Sequence, residues 1–238
     1  MSSLAQRTVI QHGYNGAINT TSAEDLWTQG GAWAAPVAAV VHHIASASAS
    51  DSAGQLGATS VQVYGLDTNF DQINEVVTLA GTTDVTTTNA YSRLTRMIVR
   101  SCSDGSAGQA NVGAITATSS DAAGTVTCAI AAGNNQSRQA IYTVPRNTVG
   151  VIRRIHGGPG QAVATRINIR LWVRPQGEVW QLADAFASNG PLASVVYDNG
   201  FILPAYSDVK LDAIVGVNSS SAKGTMQIEL GFNTEGFN

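Results

Sequence analysis

Arg166-Ile-Asn-Ile-Arg-Leu-Trp-Val-Arg174 is the stretch on which the fold class turns. In an extended chain successive side chains point to opposite faces. Ile167, Ile169, Leu171 and Val173 then share one face, and Arg166, Asn168, Arg170, Trp172 and Arg174 share the other. A helix would scatter the same residues around its circumference. The stretch therefore predicts a strand with one aliphatic face for a core and one Arg and Trp face turned away from it.

The same signature recurs outward from this strand. Short alternating runs rich in Val, Ile and Thr occur at 60–66, 73–79, 92–101, 111–118, 125–130, 139–144, 149–155, 209–217 and 225–232, separated by Gly, Asn, Asp or Pro. The segment from Val61 through the turn Thr68-Asn-Phe-Asp71 to Leu79 reads as a β-hairpin. No helical pattern of three turns interrupts the series. Ten strands require two sheets or a closed barrel. The expected fold is thus all-β, a β-sandwich, of which the jelly roll is one form.

The first fifty residues lack this alternation. Ser22-Ala-Glu-Asp25 has the spacing of a capping box before Leu26 and Trp27, which predicts a brief helical turn. Residues 45–57 are small and polar, as in a linker. The expected organisation is an irregular N-terminal arm and linker over 1–57 and a β-sandwich domain over 58–238. Gly-rich loops are expected at 103–109, 131–137, 157–161 and 219–224.

Only 12% of the 238 residues are charged, against 44% hydrophobic. Soluble domains carry roughly 25% charged residues, so either part of the surface is covered by other subunits or hydroxyls replace charge. The net charge of −3 argues against a chain that neutralises a phosphate backbone. The longest apolar run, 32–41, is broken by Pro36 and is far short of the roughly 18 residues of a membrane span. The start, Met1-Ser-Ser-Leu-Ala-Gln-Arg7, has no apolar region after a basic one, so no export signal of its own is expected. Cys102 and Cys128 lack the spacing of a metal or redox pair, and each is expected as a buried thiol unless their strands are neighbours.

Motifs for chemistry are sparse. Asp67-Thr-Asn69-Phe-Asp71 opens like a calcium loop, but Gln72 stands where glycine is needed and Thr78 where glutamate is needed, so a strand turn is the simpler reading. His42 and His43 are adjacent, with His12 and His156 distant, which suits a surface or subunit contact better than a metal site. No nucleophile elbow, phosphate loop or paired Cys and His is present, and Glu75, Glu178 and Asp184 are dispersed. Gly157-Gly-Pro-Gly160 reads as a turn. Arg166, Arg170 and Arg174 with Trp172 form either an interface patch or a solvated, ion-paired face.

Several phrases carry a resemblance. The run 57–83, Thr87-Thr-Asn-Ala-Tyr-Ser-Arg-Leu94, Ala131-Ala-Gly-Asn-Asn-Gln-Ser137, Ala140-Ile-Tyr-Thr-Val-Pro145 and Ile169-Arg-Leu-Trp-Val-Arg-Pro175 resemble uncharacterised virion structural proteins of tailed bacteriophages, over roughly residues 20 to 215. The resemblance implies a capsid decoration, cement or tail-associated component located in the virion. It names a class without separating these jobs.

Together these readings predict a non-enzymatic virion protein without a cofactor. It would decorate or cement the capsid by binding the major capsid protein, as a homo-oligomer such as a trimer, with no nucleic acid and no membrane as partner. Leu26, Trp27, Trp33 and Val37 are the expected arm anchors, beside the patch of Arg166, Arg170, Trp172 and Arg174. One alternative is a tail or neck component. Another is a carbohydrate- or receptor-binding module using Trp172, Trp180 and Tyr197 as stacking rings.

Overall fold

The computed structural model describes residues 6–19, 22–102, 109–160, 166–190, 192–216 and 220–232. Outside them lie most of the loop expected at 103–109, single residues of those at 157–161 and 219–224, and the first five residues. All regular structure in the described residues is β. The chain divides into two compact units, one formed by 1–32 with 139–238 and the other by 33–138.

The first unit contains β1 (Gln6–Ile18), β2 (Glu24–Asp25), β10 (Ile141–Thr143), β11 (Thr148–Pro159), β12 (Arg166–Arg174), β13 (Gln181–Asn189), β14 (Ala193–Leu203), β15 (Asp208–Val215) and β16 (Ser220–Phe232). Its antiparallel pairs are nested. β1 pairs with β16, both β2 and β10 pair with β15, β11 pairs with β14, and β12 pairs with β13. Such nesting is one long hairpin rolled over on itself. It produces the sheets β1-β16-β11-β14 and β10-β15-β12-β13, the strand order of an eight-stranded jelly roll.

β2 and β10 occupy a single strand position. Leu26 N donates to Leu211 O, Leu211 N donates to Ala140 O, and Ala140 N donates to Leu26 O, all at 2.8–2.9 Å. The chain therefore leaves the jelly roll in the middle of its second strand, with Trp27 bridged to Gln139 on its return. β1 passes so close to this point that a Cβ on Gly13 would lie 2.0 Å from Leu26 O. Only glycine fits there.

The two sheets share one core. Ile152 and Ile155 of β11, Ile167, Ile169 and Leu171 of β12, Leu211 of β15, and Met226 and Ile228 of β16 are all fully buried in it. Each such aliphatic side chain contributes roughly 1.5–3 kcal/mol of burial. The alternation expected for 166–174 is present: Ile167, Ile169, Leu171 and Val173 face the core, and the opposite set does not.

The second unit contains β3 (His42–Ser46), β4 (Ala58–Leu66), β5 (Gln72–Thr78), β6 (Val85–Thr86), β7 (Arg93–Cys102), β8 (Ile115–Ser119) and β9 (Val126–Ile130). Its sheets β6-β3-β8-β9 and β5-β4-β7 enclose a core that includes Ile44, Val61, Val63, Leu94, Met97, Ile115 and Ile130. The expected hairpin is β4 with β5, closing from Leu66 opposite Gln72. Asp67 Oδ1 accepts the amides of Asn69 and Asp71, so the Asp67 carboxylate shapes the turn.

One carboxylate ties this unit together. Asp51 is fully buried and accepts from Ser46 Oγ and from the amides of Ala58, Val112 and Gly113. Burial pushes its carboxyl upward, but these donors outweigh burial and hold it below the ordinary carboxylate range.

All ten expected strands are present with shifted ends, and β1, β2, β3, β6, β13 and β14 join them. Two expectations for the N-terminus need correction. Residues 1–57 are not an irregular arm: β1 is thirteen residues long and paired along most of β16, and β3 is a central strand of the second unit. A boundary at 57 and 58 would cut that unit just before β4. The helical turn expected at 22–25 is instead β2, because its backbone pairs with Asp212 and Ala213. Glu24 there accepts the amide of Gly31 and the side-chain amide of Asn15. Gly157 and Gly158, read as a turn, lie inside β11.

Two outcomes are expected from this architecture. Replacing 33–138 by a short Gly/Ser linker leaves the jelly roll folded, measured as retained β-type circular dichroism and a single cooperative unfolding transition; a chain without cooperative unfolding would show that the roll needs its insert. Asp51→Ala lowers stability by about 3 kcal/mol or more in denaturant titration, because buried amides lose a charged acceptor. Since the native carboxyl of Asp51 is depressed, its contribution is complete above the ordinary carboxylate range and fades as pH falls through the native value.

Candidate functional site

The outer face of β12 carries a cluster of ion pairs and rings. In register, Arg170, Trp172 and Arg174 stand opposite Asp212, Lys210 and Asp208 of β15. Arg170 grips Asp212 with Nε at 2.8 Å and Nη2 at 2.5 Å, and Trp172 Nε1 donates to the same carboxylate at 2.9 Å. Arg174 donates from Nε and Nη2 to Asp208, whose other oxygen accepts from Thr143 Oγ1 at 2.6 Å. Lys210 Nζ lies 2.8 Å from Asp25.

Rings interleave with these pairs. The Arg170 guanidinium lies 4.9 Å from the Trp172 ring centre, and Arg174 and Lys210 lie 4.6 and 4.7 Å from that of Trp180. Three cations are thus matched by three buried carboxylates, Asp25, Asp208 and Asp212. The face is bonded to itself, and the bidentate grip of Arg170 on Asp212 and the partial burial of all three pairs make them stronger than exposed ones. Arg166, at the exposed end of the strand, stands apart from the ladder.

Of the residues expected to bind a partner, the Arg and Trp patch is therefore assembled, with its charge spent internally. Leu26 lies in the jelly-roll core and Trp27 is buried, its Nε1 donating to Gly31 O. Trp33 is also buried, its Nε1 donating to Thr127 O. Val37 alone of the four is fully exposed. The three aromatic residues considered as a sugar platform do not form one, because Trp172 and Trp180 hold cations while Tyr197 packs on the core and donates to Asp184.

The scattered carboxylates have structural work. Glu75 accepts the amides of Thr88 and Asn89 and the hydroxyl of Tyr91. Glu178 accepts from Gln181. No three of His, Cys, Asp and Glu gather into a metal-binding group among the described residues. No disulfide joins Cys102, which is half-buried, to Cys128, which is buried, and burial pushes the Cys128 thiol up to about 12.

Asp25, Asp208, Lys210 and Asp212 were not singled out by sequence reading. The signal existed, since Asp208, Lys210 and Asp212 alternate in a strand as Arg170, Trp172 and Arg174 do, but only the register pairs them. No protein-family model, curated protein or solved structure matches the chain.

The adjacent histidines separate. His43 Nδ1 meets Thr86 Oγ1 near the surface, whereas His42, expected at a surface or subunit contact, is fully buried against the edge of Tyr91. Its Nδ1 lies 3.1 Å from Val40 O, a carbonyl that can only accept, so Nδ1 carries the proton and Nε2 is left buried without a partner. Burial pushes its pKa down from 6.5 to about 4. The unfolded chain takes up that proton near 6.5 and the native one only near 4, so the stability contribution is intact above 6.5 and is lost between 6.5 and 4. The expected loss is about 3 kcal/mol. Denaturant titrations of wild type and His42→Leu from pH 7.5 to 4 check this, the variant showing the smaller fall; equal falls would place the proton uptake elsewhere.

Proposed function

We propose that this chain is a non-enzymatic virion structural protein of a tailed bacteriophage that decorates or cements the capsid by binding the major capsid protein. The observation that carries the reading is the nested jelly-roll strand order, an architecture shared by viral capsid domains, lectins and cupins. Architecture alone does not assign a job, so surface and core chemistry must choose among these classes. The interior between the two sheets is filled by fully buried aliphatic residues. A cupin-like site would need polar ligands there.

The aromatic rings that a lectin would offer to sugars are engaged by Arg170, Arg174 and Lys210. Low charge density and a hydroxyl-rich surface suit a protein crowded among other subunits. The phrases that resemble phage virion proteins lie in both units, so the reading concerns the whole chain. Homo-oligomers, a trimer among them, suit such a role, and the tail or neck is the other position in the particle that this class of protein takes.

Quantitative mass spectrometry of purified virions tests the proposal. Copy numbers in the hundreds per particle are expected. A dozen or so copies would move the protein to the tail or neck, and its absence from particles would overturn the virion reading.

A further inference from the structure

The outer face of the β1-β16-β11-β14 sheet departs from the pattern of a solvated surface. Antiparallel sheets with one wet face carry polar residues there. Here Ile10 is 65% exposed, Val196 53%, Ile202 66% and Val149 39%. Val9, Val195 and Leu203 beside the first three pack on or in the core, and Thr148 and Gly150 on either side of Val149 are buried, so these four point outward by strand alternation.

The register places them together. One row across the four strands reads Thr8, Glu229, Val151 and Ile202, and the next reads Ile10, Gln227, Arg154 and Val196. Val149 lies two residues from Val151 on the same side of β11. Val149, Val151, Val196 and Ile202 therefore form an aliphatic patch on the adjacent strands β11 and β14, roughly 4.8 Å apart, while Ile10 lies on the far edge beyond Gln227 and Glu229 of β16.

Charge on this face is opposite to that of the chain. The whole chain carries −3. On this sheet Arg153, Arg154 and Lys223 stand against Glu229, with Asp198 in the excursion of β14 at the edge. Arg153 is paired with Glu229 at 2.7 Å. Arg154, by contrast, is exposed and has no carboxylate partner among the described residues. His12 and His156 occupy the following row on either side of Thr225.

We propose that this face docks on an apolar, acidic protein surface, which, resting on the function proposed above, is that of the capsid subunit. β-Branched side chains on a hydrogen-bonded sheet lose little conformational freedom on binding. Two copies of the face set against each other would oppose their cations, which disfavours self-pairing through it. A nucleic acid would need a longer basic stripe. An anionic membrane would favour Trp at the rim and more Lys and Arg than this face offers.

The test uses the full chain and capsid shells prepared without it. Ile202→Asp and Arg154→Glu change exposed residues and should leave the fold intact, as checked by unfolding midpoint; Leu56→Asp, at an exposed position of the second unit, is the control. Wild type should bind the shells saturably and more weakly at high salt, and each face variant should lose about tenfold in affinity while the control binds normally. If the face variants bind like wild type on particles that do contain the chain, the face is refuted and the virion reading stands. If wild type fails to bind shells, the named partner is wrong. Binding to vesicles of phosphatidylcholine with phosphatidylglycerol as tight as to shells would replace the protein partner with a membrane.

Discussion

Three backbone hydrogen bonds joining Leu26, Ala140 and Leu211 are the constraint on which the rest of the structure depends. They let two segments separated by more than a hundred residues act as a single strand beside β15. Without that closure the second strand position of the roll would be only the stub at Glu24 and Asp25, and the core side of Leu211 would lose its cover. Gly13 belongs to the same constraint, since β1 must pass within contact of the Leu26 carbonyl and any side chain would push it away. The second unit can then fold locally, because its entry and exit are already held side by side at Trp27 and Gln139.

Charge is used sparingly, and the carboxylates of Asp25, Asp51, Asp208 and Asp212 are buried. Asp51 collects four donors, Glu75 collects the amides and the hydroxyl of the 88–91 segment, and Asp208 and Asp212 each collect an arginine and a further donor. A buried carboxylate is costly unless its oxygens are satisfied, and those of Asp51, Asp208 and Asp212 are; Glu75 is half-buried. What remains on the surface is largely hydroxyl, amide and exposed aliphatic. This is why the low charge fraction is compatible with a well-bonded fold and also with coverage by partners.

Much of the architecture was legible because alternation is a local property. The ten strands with mixed aliphatic and polar faces could be read from their own residues, as could the hairpin at 61–79. β1, β13 and β14 were not, since Gly13, Gly16 and the alanines of 181–189 weaken the alternation and the excursion at 197–200 interrupts that of β14. Leu26, Trp27 and Trp33 looked like anchors for a partner because their surroundings in sequence are irregular. In the folded chain each of them is instead buried.

By itself, the sequence determined that the chain is all-β, that Ile167, Ile169, Leu171 and Val173 face a core, and that Arg170, Trp172 and Arg174 share the opposite face. Period-two patterning is sufficient for that, because it depends only on the geometry of an extended chain. Tertiary structure alone decided that the strands form a jelly roll interrupted in its second strand, that Arg170 and Arg174 are neutralised by Asp212 and Asp208, and that Val151, Val196 and Ile202 meet on one surface. Each of those facts depends on which strands lie side by side and in what register, and both are set by contacts between residues far apart in the chain.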